Sequence, residues 1–91
     1  MKKNHKKKLF SAKVFVRLKD GVLDPQGSTI KRALLDMGYK GIEEIKTGKV
    51  FEISFGSEDN KKSKVLLDEI CKKLLANPVI EKYRFEIVSK K

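Results

Sequence analysis

The sequence is poor in the residues that carry most catalytic chemistry. It has one cysteine, one histidine, two prolines and no tryptophan. The lone thiol, Cys71, leaves no disulfide to form within the chain, which suits a cytosolic protein. One cysteine and one histidine do not make a zinc site. A nucleophile needs a base within reach, and the only histidine, His5, lies in a lysine-rich stretch, so Ser–His and Cys–His catalysis are excluded. No apolar run approaches the ~20 residues of a membrane span. The basic start is not followed by the apolar segment of a secretory signal, so the expectation is a cytoplasmic protein away from membranes.

Acid is also scarce relative to base. The chain has 91 residues with 22 Lys and Arg against 12 Asp and Glu, a net charge of +10. Lys2, Lys3, Lys6, Lys7 and Lys8 supply half of that excess. Residues 1–11 therefore read as a basic flexible tail, and residues 12–89 as a single domain. Leu9 and Phe10 are placed to dock at the end of the tail. A chain this short buries only about 60–65% of its unfolded surface, so association with another subunit is a natural way to add burial. Basicity of this degree also raises a nucleic-acid-binding hypothesis, acting through the tail.

What is present is organised around residues 21–27, Gly21-Val-Leu-Asp-Pro-Gln-Gly27. Gly21 can take positive φ after a strand. Asp24 is a good N-cap, and Pro25 falls at the first helical position, where its missing N–H is harmless. The stretch is not a phosphate loop: its glycine spacing is wrong, no Lys precedes Ser28 and Thr29, and Asp24 puts negative charge where a phosphate would sit. Asp20 and Asp24 lie close enough to suggest a carboxylate pair, but Asp24 already has a capping role.

The flanking pattern gives the elements. Residues 12–19 alternate, with Ala12, Val14, Val16 and Leu18 facing one way and Lys13, Phe15, Arg17 and Lys19 the other, which is a half-buried strand. Ile30, Ala33, Leu34 and Met37 form one helical stripe, ended by Gly38 in the left-handed region. In residues 42–55, Ile45, Thr47, Lys49, Phe51, Ile53 and Phe55 share parity. That stretch reads as one long strand bent at Gly48 or as two strands turning at Thr47 and Gly48. Its aromatics have the outline of an RNA-recognition strand, but their shared parity with Ile53 assigns Phe51 and Phe55 to the core. Ser57 is placed to cap a second helix carrying Leu67, Ile70, Cys71 and Leu74, stopped by Asn77 in the left-handed region and by Pro78. Tyr83, Phe85 and Ile87 alternate with Lys82, Arg84 and Glu86 in a final strand over residues 80–88.

The order β-α-β(β)-α-β predicts an α+β two-layer sandwich related to the ferredoxin-like fold, with two helices on one face of a small antiparallel sheet. Phe15, Arg17, Val50, Glu52, Lys82, Arg84 and Glu86 would lie on the other face, a mixture that suits water or a partner subunit.

The run Val16-Arg-Leu-Lys-Asp-Gly-Val-Leu-Asp-Pro-Gln-Gly27 resembles the signature of the PurS family. The likeness continues through Met37-Gly38, Gly48-Lys49, and Leu74-Leu-Ala-Asn-Pro-Val-Ile80, covering about residues 12–88. The lysine-rich residues 1–11 depart from the family's usual short form. The resemblance implies the small, non-catalytic subunit of phosphoribosylformylglycinamidine (FGAM) synthase, in purine biosynthesis. It implies a homodimer that bridges a PurQ-like glutaminase and a PurL-like synthetase and assists ammonia transfer, for ATP- and glutamine-dependent conversion of FGAR to FGAM. ATP and Mg would serve the complex, with no cofactor on this chain, and nucleic acid would not be a partner. Asp24, Pro25, Gln26, Gly27, Lys49, Asn77 and Pro78 are the expected subunit contacts, because turns with fixed backbones present repeatable surfaces.

Overall fold

Clean alternation in the first strand makes it the natural centre of a sheet, and that is where it lies. The computed structural model describes residues 8–90. In order they form β1 (Lys8–Leu18), α1 (Pro25–Asp36), β2 (Gly48–Ser57), α2 (Asn60–Ile70) and β3 (Glu81–Lys90), with one π-type turn, Cys71–Leu75, closing α2. The strands make one antiparallel sheet in the order β2-β1-β3, so the chain has the expected α+β class. Central β1 contributes narrow side chains, Ala12, Val14 and Val16, each at most 1% exposed. Its neighbours contribute wide ones: Val14 lies opposite Phe51 and Phe85, and Ala12 opposite Ile53 and Ile87. Small against large lets the layer close without voids.

Helix α2, with Ser63 and Leu67, and the first residue of the π-type turn, Cys71, seal this face, all three fully buried. The cap of α2 is Asp59, whose carboxylate accepts the N–H of Lys62 at 2.8 Å. Ser57, expected as the cap, is still paired to Lys8 in the sheet and so is not free to cap; its hydroxyl donates to the Asp59 carbonyl. The stop also differs in detail. Ala76 N–H bonds to the carbonyl of Cys71, five residues back. The wider turn rotates Leu74 outward to 81% exposure and brings Leu75 against the core in its place. Asn77 is not left-handed, since no non-glycine residue has positive φ among the described residues. Its side chain instead accepts the N–H of Val79 at 3.0 Å, turning the chain around Pro78.

Helix α1 ends as expected, with Gly38 at φ 97° and a Schellman pair, Gly38 N–H to Leu35 O and Tyr39 N–H to Leu34 O. Its apolar stripe is less covered than that of α2. Ile30 is 39% exposed and Met37 68%.

Two boundaries move. β1 starts at Lys8, so residues 8–11, expected in the tail, belong to the sheet. Phe10 is the reason, since it is buried and stacks on Phe55 with ring centroids 5.8 Å apart. The remaining tail residues, including Lys2, Lys3, His5, Lys6 and Lys7, lie outside the described residues. In the middle of the chain, residues 42–47 are neither a strand nor one arm of a hairpin. β2 begins at Gly48, where a Cβ would stand 2.6 Å from the Val16 carbonyl oxygen.

The other sheet face is open and mixed. Lys13 lies between Glu52 and Glu86, and the Arg84 guanidinium sits over Phe15 at 4.1 Å.

Candidate functional site

All the expected contact residues come to one end of the sheet, where β1 leaves and β2 and β3 enter. Two groups of turns meet there.

The first group is built on Asp24. After β1, Gly21 turns the chain at φ 87°, and Val22 N–H bonds back to Lys19 O. Asp24 then caps α1, accepting the Gly27 N–H at 3.0 Å, with Pro25 at the start of the helix. The same carboxylate accepts the Thr47 N–H at 2.7 Å and the Thr47 hydroxyl at 2.9 Å. These bonds hold the Asp24 carboxyl below the usual aspartate range, the Thr47 N–H first, then the Gly27 N–H and the Thr47 hydroxyl. Gly27 is buried because the returning chain passes over it: a Cβ there would lie 2.2 Å from the Ile45 carbonyl oxygen. Lys31 adds a bond to the Glu43 carbonyl at 2.6 Å. Pro25 and Gln26 remain exposed on the outside of this weld. Between residues 19–24 and residues 43–47 lies a cleft of about 800 Å³.

The second group is built on Glu81. Its carboxylate accepts the Asn77 N–H at 2.7 Å and faces the Lys49 ammonium at 3.8 Å. Lys49 and the turn at Asn77 and Pro78, distant in sequence, are thus brought together. Lys49 and Pro78 are both exposed.

Asp20 and Asp24 do not act as a pair. Asp20 has its own partners, Lys46 at 3.5 Å and Lys82 at 3.8 Å, and these charges, Lys82 foremost, hold its carboxyl low. Cys71 is a core residue whose thiol is pushed up by burial, the opposite of activation. Among the described residues, no group of three or more His, Cys, Asp and Glu side chains is placed to hold a metal. The arrangement holds backbone in fixed shapes and leaves polar side chains pointing outward.

Sequence reading missed Thr47 and Glu81. Thr47 carried a signal, a polar residue of core parity just before a glycine. Glu81 carried none that spacing reveals.

A family model for PurS, phosphoribosylformylglycinamidine (FGAM) synthase, matches residues 11–89. The phosphoribosylformylglycinamidine synthase subunit PurS of Bacillus subtilis is 44% identical over 79 residues, spanning 87% of this chain and 93% of that one. The solved PurS of Methanocaldococcus jannaschii superposes with a TM-score of 0.81 at 41% identity, covering 90% of this chain and 99% of that one. A chain in the solved structure of PurLQS from Thermotoga maritima gives a TM-score of 0.81 at 29% identity, covering 88% of this chain and 98% of that one. With nearly the whole described fold matched in sequence and in shape, the chain belongs to the PurS family of FGAM synthase subunits.

Proposed function

We propose that this chain works as a non-catalytic small subunit of FGAM synthase, joining a PurQ-like glutaminase to a PurL-like synthetase in purine biosynthesis. The observation that carries the reading is the match to a chain of PurLQS, together with an end of the sheet made of fixed turns. The reaction converts FGAR to FGAM with ATP and with ammonia released from glutamine. ATP and Mg belong to the synthetase partner, and the compartment is the cytoplasm. The contribution of this chain is positional. Ammonia escapes to water or is protonated unless the joint between the two active sites is closed, and a rigid third subunit can close it.

The contacts assigned to this role are Asp24, Pro25, Gln26 and Gly27 at the first turn, Lys49, and Asn77 with Pro78. Asp24 and Gly27 fix the backbone, while Gln26, Lys49 and Pro78 are exposed for a partner to meet.

The working unit is a homodimer. Support comes from the half-open stripe of α1 and from the shape of the chain. The Cα radius of gyration is 18.0 Å, against about 12 Å for a compact domain of this length. A chain this extended gains burial by laying its exposed apolar surface against a second copy.

Co-purification with PurL and PurQ of the same source tests the assignment. Gln26→Ala and Lys49→Ala, both surface changes, should each weaken recovery of the complex and lower glutamine-dependent activity. Full assembly and activity in both variants would remove these contacts from the joint.

A further inference from the structure

Positive charge is concentrated at the end of the sheet opposite the Asp24 turn. β1 starts there at Lys8, which lies opposite Ser57 at the end of β2, and Lys90 of β3 lies opposite Leu9. Helix α2 also starts there, just after β2, and brings Lys61, Lys62 and Lys64. Lys61 and Lys64, three residues apart on one side of the helix, are exposed and make no ion pair among the described residues. Lys62 is paired with Glu58. In sequence, Lys2, Lys3, Lys6 and Lys7 lead into Lys8, and Lys91 follows Lys90. Residues 1–7 and 91 lie outside the described residues, but their attachment ties them to this end. Residues 1–9, 56–64 and 89–91 thus bring together ten lysines against two acidic residues, Glu58 and Asp59. The rest of the chain has twelve basic and ten acidic residues, so eight of the ten net charges belong to this one end.

We propose that this end binds the phosphate backbone of duplex nucleic acid, without reading its sequence. The resemblance to PurS implies no such ligand, and this binding is separate from the subunit role and does not rest on it. A duplex carries one negative charge per about 1.7 Å of its axis, a density that suits clustered ammonium groups. Lysine is a point charge without the fork by which arginine reads guanine, and none of the ten basic residues here is arginine. Single strands are held by stacking bases on exposed aromatic rings. At this end Phe10 is buried and stacks on Phe55, so it offers no such platform. A basic segment stays on a membrane only with an acyl chain or apolar side chains to insert, and residues 1–8 contain one apolar side chain, Met1. The 11 residues of β1 set this end about 34 Å from the Asp24 turn, so nucleic acid and partner subunits can be held at once.

Fluorescence anisotropy tests this, with the full chain titrated into a labelled RNA duplex of about 20 base pairs, then a DNA duplex, across salt concentrations. With about six phosphates engaged, affinity should fall about a thousandfold between about 50 and 200 mM salt. The two duplexes should bind within a few fold of each other, and permuting the sequence should change nothing. Deleting residues 2–7 removes four lysines and should lower the salt slope by about four. Lys61→Gln with Lys64→Gln should lower it by about two. Arg32→Gln with Lys40→Gln removes the same charge from exposed positions at the other end and should leave the slope as it was. Single strands, polyglutamate and anionic vesicles should all bind more weakly than the duplex at the same salt. Equal or tighter binding of any of these overturns the proposal, as does a slope indifferent to the deletion and to Lys61 and Lys64, or an equal loss in the Arg32 and Lys40 variant. Glutamine-dependent FGAM formation with PurL and PurQ of the same source reports separately on the subunit reading, and the deletion should leave it unchanged. Loss of FGAM formation on deletion would make this end a subunit contact and remove the nucleic-acid role. A native chain that binds the duplex but fails to join PurL and PurQ would sink the subunit reading and leave this inference standing.

Discussion

Thr47 donates both its N–H, at 2.7 Å, and its hydroxyl, at 2.9 Å, to the carboxylate of Asp24. The same carboxylate caps α1 through the Gly27 N–H. One side chain thus starts a helix and fastens the strand connection that returns beside it. Asp24→Ala should lower the melting temperature more than Thr47→Val, because it removes the cap and both bonds to Thr47 together. The double variant should be little worse than Asp24→Ala alone, since the two residues share one interaction. Thermal melts of the three variants, with amide exchange over residues 42–47, check this.

The dependence on pH should have two edges of opposite sign. Asp20, Asp24 and Asp68 are all held below the ordinary aspartate value of 3.8. A depressed carboxyl stabilises the fold above its unfolded value, and that stability is lost as pH falls through the lower folded value. Tyr83 is the reverse case. Its phenol donates to Asp68 and is pushed up to about 12 from 10.0. Its contribution is complete below 10.0 and is lost as pH rises toward about 12. Tyr83→Phe should remove the alkaline edge, and Asp24→Asn should flatten the acid one. Melting temperature against pH reads both.

Gly27→Ala should be among the most damaging single-atom additions in the chain. Its Cβ would lie 2.2 Å from a backbone oxygen, that of Ile45, which has no flexible end to move aside. The connection over residues 42–47 must then lift from α1. The expected result is a lower melting temperature with fast exchange confined first to that segment. Gly27→Ala with native stability would mean the connection lies elsewhere in solution.

What the sequence disclosed and what it hid divide along the reach of the contacts. Alternation in β1, the Asp24–Pro25 start of α1 and the Gly38 stop are local, and each was legible. Even the parity of Phe51, Ile53 and Phe55 placed them on the core face correctly. The hidden parts depend on partners far away in sequence. Phe10 looked like the end of a tail because nothing beside it shows Phe55, the ring it stacks on. Ser57 looked like a cap because its place in the ladder, opposite Lys8, is set by the other strand. The π-type turn after Ile70 leaves no trace in residue spacing, so Leu74 was assigned the place that Leu75 takes. At the end of the sheet where β1 leaves, the Asp24–Pro25 turn was readable from its chemistry. Thr47 and Glu81, which fasten the turns there, appear only once strands and turns are laid side by side.

The stripe of α1 gives a prediction about assembly. Ile30→Asp and Met37→Asp place charge on surface that is 39% and 68% exposed in the single chain. Neither change should unfold a monomer. Each should break a dimer that buries this stripe, because an unpaired carboxylate is costly to desolvate. Light scattering should show a dimer for the native chain and a folded monomer for the variants. Dimers in both would place the contact between copies on another surface.

The most direct test of the account is reconstitution. PurL and PurQ of the same source are mixed with and without this chain, and FGAM formation is followed with glutamine and, separately, with free ammonia. The account predicts that the chain is required with glutamine and matters much less with ammonia, because its work is to couple the two sites. Equal rates with and without the chain in both reactions would contradict it.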